Sequence, residues 1–133
     1  MYSKSFFMIL FSILMLCNCT DNNATNSDLE NFNEIIGIWV QLDYSDGIYT
    51  YQKSDAFAAD RPGIEFRTDF TLIKRQNAGW CGTPPITYAN FDGTWEIIAE
   101  QRIKLIYSYW GGLDTCEVEI ITCNNHLLEL NWN

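Results

Sequence analysis

From residue 35 onward, apolar and polar side chains alternate one by one, with turn-forming residues breaking the pattern at short intervals, and no stretch carries a 3.6-residue period. The alternation predicts strands over 35–44, 48–53, 64–67, 70–76, 94–99, 102–109, 115–122 and 126–132. Asp46-Gly47 between the first two is a strong hairpin signal, because its residues reach the positive φ values that a two-residue turn needs. Tight turns are also expected at Thr68-Asp69, Glu100 and Asn124-Asn125, and Trp110-Gly111-Gly112-Leu113 forms a further one. The two longer connections are 54–63 and 77–93, the second containing Gly79, Gly82, Pro84 and Pro85. Eight short strands with mostly tight turns predict an all-β fold, an eight-stranded antiparallel up-and-down barrel that leaves no open sheet edge. At eight strands the interior is either just filled or holds one small ligand.

The same alternation sorts the faces. Ile103, Leu105, Tyr107 and Tyr109 share one side, as do Cys116, Val118 and Ile120, and Leu128, Leu130 and Trp132. Phe70 with Leu72, Ile64 with Phe66, and Trp95 with Ile97 complete the expected interior, while Ile36, Ile38, Val40 and Leu42 compete with Trp39 on the first strand. With strands alternating up and down in chain order, the turns at Asp46, Asp69, Glu100 and Asn124 fall at one end. The start of the first strand, both long connections, the Trp110 turn and the C-terminus fall at the other. Recognition residues concentrate on long loops, so the candidates for a ligand or partner site are Trp80, Tyr88, Phe91 and Trp110, joined by Tyr107 and Tyr109 of the sixth strand. The alternative is an aromatic lid that completes the core.

Composition narrows the picture. The chain has 133 residues, room for one domain, with 47% hydrophobic residues and 15% aromatic residues, which suits a packed β core. Its net charge is -9, which disfavours nucleic acid as a partner, since phosphate backbones need clustered cations. The N-terminus is different in kind: Lys4 precedes an apolar run over 6–17 that is too short to cross a bilayer, the pattern of an export signal. Thr20 to Glu34 holds five Asn and four acids with neither Lys nor Arg, and reads as a solvated tether.

Leu16-Cys17-Asn18-Cys19 resembles a bacterial lipobox. The resemblance implies a signal peptide over 1–18 and a lipid on Cys19, with Cys17 as the weaker candidate. It also implies export and attachment to the outer membrane, facing the periplasm or the cell surface. The acidic tether over 19–34 is similar to those of Bacteroidetes surface lipoproteins. Gly37-Ile38-Trp39 on the first strand, with Asp92-Gly93-Thr94-Trp95-Glu96 opening a later one, resembles the small lipocalin-like domains of bacterial lipoproteins. That likeness covers 35–133 and implies a lipocalin-like barrel.

With Cys17 and Cys19 assigned to the N-terminus, Cys81, Cys116 and Cys123 remain for the domain. Cys116 and Cys123 lie on one strand, about 23 Å apart at the usual rise, and cannot pair. Cys81 and Cys116 fall at the same end, so a Cys81–Cys116 disulfide is expected with Cys123 free; the alternative is three buried thiols.

Catalytic chemistry finds little footing. The single His126 sits by a turn, and nothing orients it toward Cys123. Glu65, Glu96, Glu117 and Glu119 alternate outward, and the chain lacks a zinc-ligand cluster and a phosphate-binding glycine loop. No enzyme activity, metal or cofactor is expected. The expected function is a lipid-anchored lipocalin-like binding module for a small hydrophobic ligand. The alternative is a non-catalytic accessory protein or inhibitor, with a filled barrel, that meets a protein partner through its loops.

Overall fold

Single-residue alternation gives a chain that must bury one face of every strand, and closing the sheet on itself does so without leaving an edge. The computed structural model describes residues 32–132; the leader over 1–18, Cys17, Cys19 and the tether up to residue 31 lie outside the described residues. The strands are β1 (Gly37–Ser45), β2 (Ile48–Ser54), β3 (Gly63–Phe66), β4 (Thr71–Asn77), β5 (Tyr88–Ala99), β6 (Arg102–Tyr109), β7 (Gly112–Cys123) and β8 (Leu127–Trp132). They form a closed barrel in which every neighbouring pair is antiparallel, the all-β, eight-stranded up-and-down architecture that the pattern predicts and one consistent with a lipocalin-like fold.

One connection departs from chain order. Going round the barrel, β1 stands between β2 and β3, and β2 closes onto β8. Strands β2 and β3 therefore run in the same direction, and the segment 55–62 crosses the outer surface of β1 to join them. Gln41 N–H donates to Pro62 O at 3.0 Å, and Arg75 on β4 donates to Ala58 O and Ala59 O at 2.9 and 3.0 Å, which straps the crossing segment down. Gly63 is required where this segment enters β3. A Cβ there would stand 2.7 Å from Trp39 O and 2.9 Å from the Phe57 ring.

This crossing exchanges the ends for everything after β2 and corrects the expected grouping of loops. The Thr68-Asp69, Glu100-Gln101 and 124–126 turns lie at the end where β1 begins, here the base. The Asp46-Gly47 hairpin, the 78–87 loop, the Trp110-Gly111 turn and the end of β8 share the opposite end, the mouth. Strand β5 also starts at Tyr88 rather than at 94, because Asn90 and Asp92 are the outward, exposed residues of an alternating strand that pairs with β4 back to Asn77.

The base is sealed. Phe32 and Ile35, just ahead of β1, are buried against the core, so the folded part starts sooner than residue 35. Trp39 takes the interior of β1 and is fully buried, leaving Leu42 exposed. Its indole N–H donates to Ile35 O at 2.7 Å, and Lys53 Nζ lies 5.0 Å from its ring centroid. Phe66 meets Trp95 edge-on at 5.5 Å. Phe70, expected inside, has a φ of 63° at the β3–β4 turn. That conformation carries it out to the rim, half exposed, where it covers Trp95 at 5.0 Å.

Candidate functional site

Polarity changes along the barrel axis. Toward the base the interior is apolar, with Ile64, Phe66, Leu72, Ile103 and Leu105 buried. Toward the mouth, the inward phase of β4 continues from Leu72 to Lys74 and Gln76, and that of β7 runs back from Val118 to Cys116 and Asp114. Tyr107 faces these residues from β6, and Trp132 from β8.

Lys74 is the centre of this upper half. Its Nζ lies 3.7 Å from the Trp132 ring centroid and 4.9 Å from that of Tyr107. Among the described residues the ion pairs are Arg67–Glu65 and Lys104–Glu96, so no carboxylate comes within ion-pair reach of Lys74. Burial lowers its pKa from 10.5 to about 8, with Cys116 and Asp114 opposing the shift. Burial also raises Cys116 and Tyr107 above their usual values. Tyr107 Oη donates to Asp114 Oδ2 at 3.1 Å, and Asp114 Oδ1 accepts from Thr115 N–H at 2.9 Å. Gly93 stands across from Tyr107, and a Cβ there would meet the Ile106 carbonyl oxygen and come within 2.7 Å of the Tyr107 Cβ, so the missing side chain is what lets β5 and β6 approach beside Tyr107. The Trp132 indole N–H is buried beside the Tyr51 hydroxyl and makes no hydrogen bond of full geometry among the described residues.

Above Lys74 an open cleft of about 300 Å³ is lined by Gln76, Asn77, Tyr107, Tyr109, Trp110 and Asp114. The site candidates divide around it. Tyr107, Tyr109 and Trp110 meet in the cleft, with Tyr109 and Trp110 edge to face at 5.7 Å. Phe91 is half-buried opposite Lys74 in the inward phase of β5, below the cleft. Tyr88 is in the outward phase, 6.0 Å from the Arg75 guanidinium, and Trp80 stands 80% exposed on the 78–87 loop; neither lines the cleft. All three described cysteines are free thiols, which corrects the expected Cys81–Cys116 bridge. The reason is orientation: Cys116 packs inward against the core, whereas Cys81 is exposed on the loop, its thiol held below the usual range by hydrogen bonding to Thr83.

Lys74, Gln76, Asp114 and Trp132 carry no expectation as site residues from sequence. The signal was present, since Lys74 and Gln76 repeat the phase of buried Leu72, but alternation is ordinarily followed through apolar residues. Chemically, the mouth offers aromatic faces, a lysine ammonium and hydrogen-bonding groups around an open volume, a composition suited to holding a small molecule. His126 is exposed at the base, far along the barrel from Tyr107 and the cleft. Among the described residues no cluster of metal-ligating side chains is present. Comparison with protein-family models, with curated proteins and with solved structures returns no match.

Proposed function

We propose that this chain is an exported, lipid-anchored, lipocalin-like binding module whose barrel mouth holds a small, largely hydrophobic molecule. The observation that carries the reading is the division of the interior: a sealed apolar base, and above it an aromatic cleft of about 300 Å³ with Lys74 beneath. A barrel serving only as a scaffold gains nothing from an unpaired ammonium among aromatics, because desolvating it costs several kcal/mol and the cation–π contacts return about 2. The lipid anchor rests on the lipobox-like Leu16–Cys19 segment, and the extracytoplasmic location follows from it. The module has no catalytic role in this reading.

Two experiments test it. Growth with labelled palmitate should label the wild-type chain and leave Cys19→Ala unlabelled; labelling of both, or of neither, removes the anchor at Cys19. Native mass spectrometry of the full-length protein purified from the cell envelope should reveal a small-molecule adduct that denaturation releases. A bare mass that stays bare on adding aromatic or aliphatic probes would shift the account to the second reading. That reading, an accessory or inhibitory protein working through its surface, is favoured by the exposed apolar residues of the mouth: Trp80, Trp110 and Leu113 are 80%, 54% and 68% exposed.

A further inference from the structure

The Lys74 ammonium and the Trp132 indole N–H are both hydrogen-bond donors set in the upper barrel. Among the described residues Lys74 has no carboxylate within ion-pair reach, and the Trp132 N–H, with the Tyr51 hydroxyl beside it, makes no hydrogen bond of full geometry. Aromatic faces satisfy neither: they offer a diffuse negative face to the ammonium and nothing to the in-plane N–H. A buried donor left unmade costs roughly 1–3 kcal/mol, more when it is charged. A half-buried ammonium with no carboxylate at hand among the described residues, beside a buried indole N–H without a well-formed bond, favours an acceptor arriving from outside.

Neither donor lines the cleft itself; the cleft reaches Lys74 through its walls. The Tyr107 ring forms a wall of the cleft and is also 4.9 Å from Lys74 Nζ, and Gln76 lines the cleft one inward position above Lys74 on β4. Asp114 is the acidic group in the cleft wall, and its oxygens are engaged by Tyr107 Oη and Thr115 N–H. The volume of about 300 Å³ is at the small end of ligand sites, which span roughly 300–1,000 Å³, and suits one or two fused rings rather than a long chain.

We propose that the ligand class is a small aromatic acid, whose carboxylate (or an equivalent anionic group) is received by Lys74 and the Trp132 N–H while its ring lies among Tyr107, Tyr109 and Trp110. The inference rests on the binding-module reading and adds the chemistry of the head group. A cationic ligand caged by the same rings and Asp114 is the opposite case; it would place a second positive charge beside the face of Tyr107 that Lys74 already occupies.

The test uses the full-length protein at pH 7 and three probes of one shape: naphthalene-2-carboxylate, naphthalene-2-carboxamide and (2-naphthylmethyl)trimethylammonium. Binding is followed by calorimetry. The carboxylate is expected to bind about tenfold or more tighter than the carboxamide, as a charge-assisted hydrogen bond to a desolvated lysine requires. Lys74→Met, its fold checked by circular dichroism, should bring carboxylate and carboxamide to within about twofold of each other, chiefly by weakening the carboxylate. Lys104→Met, which removes a positive charge from the outer surface, should leave the preference intact. Equal binding of carboxylate and carboxamide to the wild type, tighter binding of the ammonium probe, or a preference that survives Lys74→Met would each overturn the acid assignment and leave the binding module standing. Failure of all three probes to bind would overturn the aromatic-acid assignment, while the binding-module reading is decided by the native mass spectrum.

Discussion

Lys74 Nζ stands 3.7 Å from the centre of the Trp132 ring, a lysine on the inward phase of β4 facing an indole on the inward phase of β8. The contact spans the barrel interior rather than joining neighbouring strands, because β5, β6 and β7 separate β4 from β8 on one side and β2, β1 and β3 on the other. It places a desolvated cation in the part of the molecule that the apolar core does not fill.

Lysine burial gives a stability signature. The folded-state pKa of about 8 lies below the ordinary 10.5, so between those values the native protein has released a proton that the unfolded chain retains. Stability contributed at this position therefore rises with pH through that window and is lowest below it. Unfolding free energies of wild type and Lys74→Met from urea titrations, compared from pH 7 to 10.5, should converge by an amount on the order of 3 kcal/mol. Taking the difference removes the opposing effect of Cys123, whose thiol burial pushes up to about 11. A difference that stays flat with pH would mean that Lys74 is solvated like a surface lysine.

Trp39 joins the entrance of the domain to its core. Trp39→Phe keeps most of the ring but leaves Ile35 O without its donor at the sealed base, at a cost of about 2 kcal/mol. The urea midpoint should fall with an unchanged slope. An unaltered midpoint would show that the base does not depend on this hydrogen bond.

Gly93→Ala should cost about 1–3 kcal/mol, because the added methyl meets the Ile106 carbonyl oxygen and the Tyr107 Cα and Cβ and must push β5 away from β6 beside the cleft. The same variant should lose affinity for any ligand of the mouth. Full stability together with full binding would contradict the close approach.

Much of the architecture was legible in the sequence, and the reasons are particular. Asp46-Gly47 marked the first hairpin, and the Leu128-Leu130-Trp132 alternation marked the last strand and its inward face. The exchange of ends was not legible, because it depends on where 55–62 docks, and the Gln41–Pro62 and Arg75–Ala58 hydrogen bonds that hold it there join residues distant in the chain. Phe70 was misplaced because alternation assumes extended backbone, which a φ of 63° interrupts. At the site, Tyr107, Tyr109 and Trp110 were found through their aromaticity. Lys74 was missed because a charged residue in an inward phase is normally read as outward.

Thiol chemistry follows from the same geometry. Under native conditions Cys81 should react with a disulfide reagent within seconds to minutes, and Cys116 and Cys123 only on unfolding, since the first is exposed and the others half-buried with raised pKa values. A mass two hydrogens light before reduction would restore a bridge and contradict the free-thiol arrangement.

The most direct test of the ligand site is a ¹H–¹⁵N chemical-shift map of the protein titrated with naphthalene-2-carboxylate, read at the backbone amides and the tryptophan indoles. The account predicts saturable shifts at Lys74, Gln76, Tyr107 and Asp114, the largest indole shift at Trp132, and silence at Trp39 and Trp95 in the sealed base. Shifts confined to the exposed Trp80 loop or to the base, or none at saturating probe, would contradict it.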